Sequence, residues 1–146
     1  MKVLVDADAC PVKEIVVRIA QLYHVEVIMI VDTSHTIEDG YSKVITVEKG
    51  KDSVDIALIN RTCSRDIVVT QDYGVATMAL GKGAVAINQN GLIFSDKNID
   101  RLLLERHMGS KIRRAGGKTT GFKKRKKENN QRFEIAFIEV MEKNQK

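Results

Sequence analysis

The sequence predicts an α/β protein: a doubly wound, mainly parallel five-stranded sheet with helices on both faces, followed by a basic loop and a C-terminal helix. Three observations predict it. Strand and helix signals alternate through the first hundred residues. The strand candidates are rich in Val and Ile with little polar alternation, as expected of parallel strands covered on both faces. The first helix candidate carries one apolar stripe, Val12, Ile15, Val16, Ile19 and Tyr23, spaced to face a core. With 146 residues, 43% hydrophobic and 29% charged, the chain is expected to fold as one domain, and its composition argues against disorder.

Taken in order, residues 2–5 read as a short buried strand, and Pro11 fits the first turn of the following helix. Residues 26–31 and 43–47 give two further strands, and residues 52–61 a second helix. Residues 66–70 form the next strand, 73–82 the third helix and 84–87 a fifth strand. Asn90-Gly91 marks a turn before a short strand at 92–94. Ser95 or Asp96 then caps a helix running to about Met108. Glycines at 109, 116, 117 and 121 predict a flexible loop over 109–127. Helical spacing returns over 128–143, where Phe133, Ala136, Phe137, Val140 and Met141 share a side that should dock back on the domain.

The first residues meet a charge too early for a signal-peptide apolar region, and the apolar run at 27–31 is too short to span a bilayer. Two cysteines, Cys10 and Cys63, suggest no disulfide framework. A cytoplasmic protein without membrane association is the expectation.

Charge is unevenly divided. Residues 1–100 carry 10 Lys and Arg against 14 Asp and Glu, whereas residues 101–146 carry 14 against 5. An acidic body with a basic tail points to an anionic partner held beside a carboxylate site, and nucleic acid is the usual one. The candidate phosphate contacts are Lys13 at the first helix and Lys111, Arg113, Arg114, Lys118, Lys123, Lys124, Arg125, Lys126 and Lys127 in the basic segment. As solvated loop charges, those of the segment should contribute little to stability.

The carboxylates are the most specific chemical signal. Asp6 and Asp8 follow the first strand, and Asp72 follows the fourth with only Gln71 between. In doubly wound sheets the carboxyl ends of the strands form the ligand edge. Asp52 and Asp55 lie three apart at the start of the second helix and share a face. If the first and fourth strands are neighbours, Asp6 and Asp72 flank one crevice, with Asp52 or Asp55 aimed at it. Such oxygen donors favour Mg²⁺ or Mn²⁺, and that ion can activate water and stabilise charge on a phosphoryl group. The metal candidates are Asp6, Asp8, Asp55 and Asp72; the catalytic candidates are Asp6, Asp52, Asp55 and Asp72. Helix capping by Asp8, Asp52 or Asp72 is the competing explanation at each position.

Other signals are weaker. Gly117-Lys118-Thr119 ends like a P-loop, but Ile112 stands where that motif needs glycine. His24, His35 and His107 show no metal spacing, and Cys10 beside Pro11 reads as a structural thiol.

The run Asp6-Ala7-Asp8-Ala9-Cys10-Pro11-Val12-Lys13 resembles the signature of the bacterial YaiI/YqxD family, placed among the PIN-like nuclease folds. Gly50-Lys51-Asp52-Ser53-Val54-Asp55 and Val69-Thr70-Gln71-Asp72 are similar to its later acidic blocks, and the likeness covers nearly the whole chain. Two departures stand out. Ile56 replaces a second Asp, and Gly121-Phe122-Lys123-Lys124-Arg125 lacks the family's proline. The resemblance implies a PIN-like, metal-dependent ribonuclease, with Asp6, Asp52 or Asp55, and Asp72 at the carboxylate positions and Asp8 as a fourth.

The expected function is therefore a metal-dependent nuclease acting on RNA. Two alternatives stay open. One is a non-catalytic RNA-binding module. The other is a haloacid-dehalogenase-like phosphatase using Asp6 as nucleophile and Asp8 as acid/base.

Overall fold

A computed structural model describes residues 1–8, 10–116 and 124–145, apart from the side chains of Arg113 and Arg114. The elements run β1 (Lys2–Asp6), α1 (Lys13–Leu22), β2 (Glu26–Asp32), β3 (Lys43–Val47), α2 (Ser53–Arg61), β4 (Ile67–Val69), α3 (Tyr73–Gly81), β5 (Val85–Ile87), α4 (Asp96–Arg114) and α5 (Lys127–Gln145). Five strands form one parallel sheet in the order β3-β2-β1-β4-β5. The chain builds outward from β1 to β3, then crosses back to place β4 on the other side of β1. The order therefore reverses between β1 and β4, which is where an open α/β sheet leaves a crevice at its carboxyl edge.

Period-two alternation divides the strand side chains between two cores. Val3, Val5, Val27, Met29, Val31, Ile67 and Val69 face α1 and α5. Leu4, Ile28, Ile30, Val68 and Ala86 face α2 and α3, with Phe94 and Ile99 completing that side. Both sides of each central strand are covered, which explains why their sequences show no polar alternation. The C-terminal helix docks as its spacing predicts: Phe133, Phe137, Val140 and Met141 are buried, with the two phenyl rings stacked 5.3 Å apart. Burying a phenylalanine contributes roughly 1.5–3 kcal/mol, so α5 belongs to the core rather than to a tail.

Two expected elements differ. The strand expected at 92–94 is reduced to one antiparallel bridge, Ile87 to Ile93. The loop expected over 109–127 is helical in its first six residues, because α4 continues through Gly109 to Arg114. An interior glycine costs a helix only about 1 kcal/mol, and the Lys, Ile and Arg residues that follow sustain the turn. Lys111, Arg113 and Arg114 thus ride on a helix, whereas Lys118 and Lys123 lie outside the described residues. Among the described residues, no helix is long and apolar enough to cross a membrane.

Candidate functional site

Asp6 is the last residue of β1, and β1 pairs with β4 through Val5 and Val69. The next residue after Val69, Thr70, donates its hydroxyl to Asp6 Oδ2 at 3.2 Å across this seam. The same Thr70 Oγ1 accepts the backbone N–H of Asp72 at 3.1 Å. Asp72 in turn caps α3, its Oδ1 accepting the Val75 N–H at 3.0 Å. A chain of hydrogen bonds thus ties Asp6 to the start of α3, and both readings of Asp72, cap and site residue, apply to one side chain.

Burial is the first cause that lifts the Asp6 carboxyl, to about 6; repulsion from Asp55 follows, with smaller contributions from Asp8 and Asp72, against the Thr70 hydrogen bond. Asp55 is also raised, by burial first and then by Asp72 and Asp52. Asp55 is the one whose charge acts on Asp6, whereas Asp52 is exposed at the N-cap, makes no side-chain cap and holds a left-handed φ of 63°. The expected capping role of Asp52 is not used, and aspartate is among the residues that tolerate that conformation.

A second carboxylate shows the contrast. Asp66 is 2% exposed, yet it accepts the Lys2 backbone N–H at 3.0 Å, Lys2 Nζ at 2.6 Å and the Cys63 N–H at 2.8 Å. That is how a structural carboxylate is satisfied when buried. Asp6 has one hydroxyl partner and three carboxylate neighbours, which is an arrangement that serves a ligand better than a fold.

Asp8 is drawn elsewhere. Its Oδ1 accepts the Asp32 N–H at 3.3 Å and lies 2.9 Å from His35 Nδ1, which is also 3.3 Å from Asp32 Oδ1. Among the described residues, Asp8, Asp32 and His35 form the one set of three potential ligand atoms mutually within 4.8 Å. Asp6, Asp55 and Asp72 are not gathered so closely. His35 shows no metal spacing in the sequence; its only signal is that it lies three residues after Asp32.

The small cavity at the seam, about 40 Å³, is lined by Asp6, Asp8, Cys10, Thr70, Gln71 and Gln89. It is large enough for one ion or a few waters. The Cys10 thiol is pushed up by burial and makes no nucleophile at neutral pH, as its expected structural role requires. Gln71 and Gln89 also line a larger polar cleft of about 620 Å³, which runs to Lys124, Lys126 and Arg132. The acidic pocket and the cationic cleft thus share a wall.

Arg125 is not one of the exposed cations. Its guanidinium donates to the Gln89 carbonyl at 2.7 Å, to Asn90 Oδ1 at 2.8 Å and to Asn130 Oδ1 at 2.8 Å, clamping the 89–90 turn to the start of α5. Lys13 lines a separate groove on α1 with Arg18, Thr36 and Asp39. Lys111 is exposed on α4, and Lys127 opens α5 outside the cleft lining. Of the expected phosphate contacts, then, the cleft collects Lys124 and Lys126 beside the clamp formed by Arg125. It adds Arg132, which the sequence left among the solvent residues of a helix.

Comparison with known proteins places these residues in a family context. The family model described as "Uncharacterized BCR, YaiI/YqxD family" matches residues 4–143. A UPF0178 protein of Ruminiclostridium cellulolyticum is 65% identical over 138 residues, covering 94% of this chain and 90% of the relative. One from Alkaliphilus oremlandii is 52% identical over 144 residues, covering 99% and 93%, and one from Natranaerobius thermophilus is 46% identical over 141 residues, covering 97% and 96%. No solved structure matches the chain.

Proposed function

The chain belongs to the YaiI/YqxD family, and from the geometry of its site we propose that it is a nuclease of PIN-like type, cleaving RNA phosphodiesters with the help of Mg²⁺ or Mn²⁺. The observation that supports this reading is that Asp55 of α2 and Asp72 of the β4–α3 turn lie near enough to Asp6, at the end of β1, for their charges to raise its pKa, at the point where the strand order reverses. The donor set fits the ion. It is all oxygen, as hard cations prefer, and the charges of Asp55 and Asp72 raise the proton affinity of Asp6, as Asp72 does that of Asp55, a cost that a cation would remove. Because the three carboxylates are spread beyond 4.8 Å, the fit is to an ion that keeps several waters, bound directly by one or two of them.

Asp6 and Asp55 would hold the ion, with Asp72 beside them. Once bound, it would supply an activated water and charge stabilisation at the phosphorus. The chain's own residues do the positioning. Thr70 fixes the rotamer of Asp6 by donating to Oδ2, and α3 fixes Asp72 through Oδ1.

The test is hydrolysis of an end-labelled single-stranded RNA at millimolar Mn²⁺, with calorimetry of Mn²⁺ binding alongside. Wild type should bind the ion and cut; Asp6→Asn should do both at least tenfold less well. Cutting that persists in Asp6→Asn, or no heat from wild type, overturns the proposal.

A further inference from the structure

We infer that the 620 Å³ cleft between the 88–90 turn and the start of α5 is the path by which a single nucleic-acid strand reaches Asp6. The inference rests on the nuclease reading for its substrate, and it names surfaces that reading does not need.

The argument is one of hydrogen-bond polarity. Three asparagines border the cleft, and each spends its amide oxygen inside the protein. Asn88 Oδ1 accepts the N–H groups of Asn90 and Leu92, both at 2.9 Å. Asn90 Oδ1 accepts Arg125, and Asn129 Oδ1 accepts the Lys126 N–H, both at 2.8 Å. Every partner is a donor, so the amide assignment follows: the oxygen is engaged by the protein and the NH₂ is the group left to bind. Among the described residues those NH₂ groups have no acceptor. Lys124, Lys126 and Arg132 add cationic donors, against one lining carboxylate, Glu128. A wall that presents almost only donors suits a ligand that presents almost only acceptors, and a phosphodiester backbone is such a ligand.

Shape narrows the class. The volume admits one or two nucleotides of a strand rather than a duplex. Tyr73, which also lines the cleft, has the Arg106 guanidinium 6.0 Å from its ring centre and an edge contact with Phe94 at 5.8 Å. It serves as wall more than as stacking platform, so the cleft grips backbone without reading sequence. Gln71 and Gln89 lead from the cleft into the Asp6 cavity, which puts a bound phosphate next to the carboxylates.

The experiment is fluorescence anisotropy of a labelled single-stranded 12-mer RNA with the full chain in EDTA. No turnover occurs there, so binding and catalysis fail separately. Lys124→Glu with Arg132→Glu, both at exposed positions, should raise Kd at least tenfold and flatten the log–log salt slope by about 1.4, from roughly 0.7 per lost contact. Lys43→Glu, on the opposite edge strand, should leave Kd within twofold. The duplex form of the RNA should compete at least tenfold less well than the single strand, and millimolar inorganic phosphate should not displace it. Equal binding by the double variant, equal competition by the duplex, or full displacement by phosphate overturns the inference. Circular dichroism of the double variant confirms that the fold is kept; should it unfold, Arg132→Gln alone must still weaken binding at least threefold.

Discussion

Thr70 Oγ1 donates to Asp6 Oδ2 at 3.2 Å while accepting the Asp72 N–H at 3.1 Å, so one hydroxyl joins two carboxylate residues across the seam where strand order reverses. Thr70→Val keeps the shape and removes that junction. It should cost about 1–2 kcal/mol, because the Asp72 N–H loses its acceptor and Asp6 the one donor it has among the described residues. The Asp6 pKa should also rise, since the hydroxyl bond is what lowers it. Urea unfolding and a carboxyl ¹³C NMR titration measure the two effects.

Without metal, Asp6 works against the fold at neutral pH. Its folded pKa, about 6, lies above the ordinary 3.8, so between these values the folded chain holds a proton that the unfolded chain has lost. The stability this group supports is therefore full below about pH 4 and is lost as pH rises through 6, by at most about 3 kcal/mol at 1.36 kcal/mol per unit. Asp6→Asn should be more stable than wild type at pH 7 in EDTA, with the difference closing near pH 4. A wild type as stable as the variant at pH 7 would show that Asp6 is not crowded by charge. Millimolar Mn²⁺ should raise the melting temperature of wild type alone.

Asp72 carries two roles that substitution separates. Asparagine caps helices as well as aspartate does, so Asp72→Asn should unfold no earlier than wild type in EDTA. Asp72→Ala leaves the Val75 N–H without its acceptor and should cost about 1 kcal/mol. Both should lose Mn²⁺-dependent cutting. Thermal melts of the pair, read beside the activity, decide it.

Arg125→Ala should destabilise the protein by about 1–3 kcal/mol, because three acceptors, one of them the Gln89 carbonyl, lose a charged donor. This revises the expectation that the charges of the basic segment are neutral to stability. Lys124→Ala, at an exposed neighbour without such contacts among the described residues, should change stability by less than about 0.5 kcal/mol. Denaturant midpoints of the two variants make the comparison.

Gly91 adopts φ +87°, and a Cβ there would lie 2.6 Å from the Arg132 carbonyl oxygen. Gly91→Ala should therefore strain the turn and push it from α5, at a cost above about 1 kcal/mol. If the cleft binds a strand as inferred, this variant should also weaken RNA binding, which the anisotropy assay reads.

The fold was legible in the sequence because its determinants are local and repeated. Strands such as Val3-Leu4-Val5 and Ile67-Val68-Val69 show no polar alternation, and the α1 and α5 stripes have helical spacing. These patterns state which faces are covered, and a parallel sheet between helices is the arrangement that covers them. Residues 109–114 differ from the loop that the glycines of 109–121 predict, because the residues around Gly109 sustain the helix.

The site was only half legible. Asp6 and Asp72 could be placed at strand ends because strand direction sets the ligand edge, and Asp8 lay beside them by sequence alone. Which of Asp52 and Asp55 acts on Asp6 depended on the rotation of α2, the pull of Asp32 and His35 on Asp8 depended on where β2 ends, and the conversion of Arg125 from contact to clamp depended on a turn 35 residues away. Secondary structure follows from the periodicity of neighbours along the chain, so the sequence determined it. The direction of a charged side chain follows from the donors and charges that distant segments bring to it, and that only the tertiary structure decided.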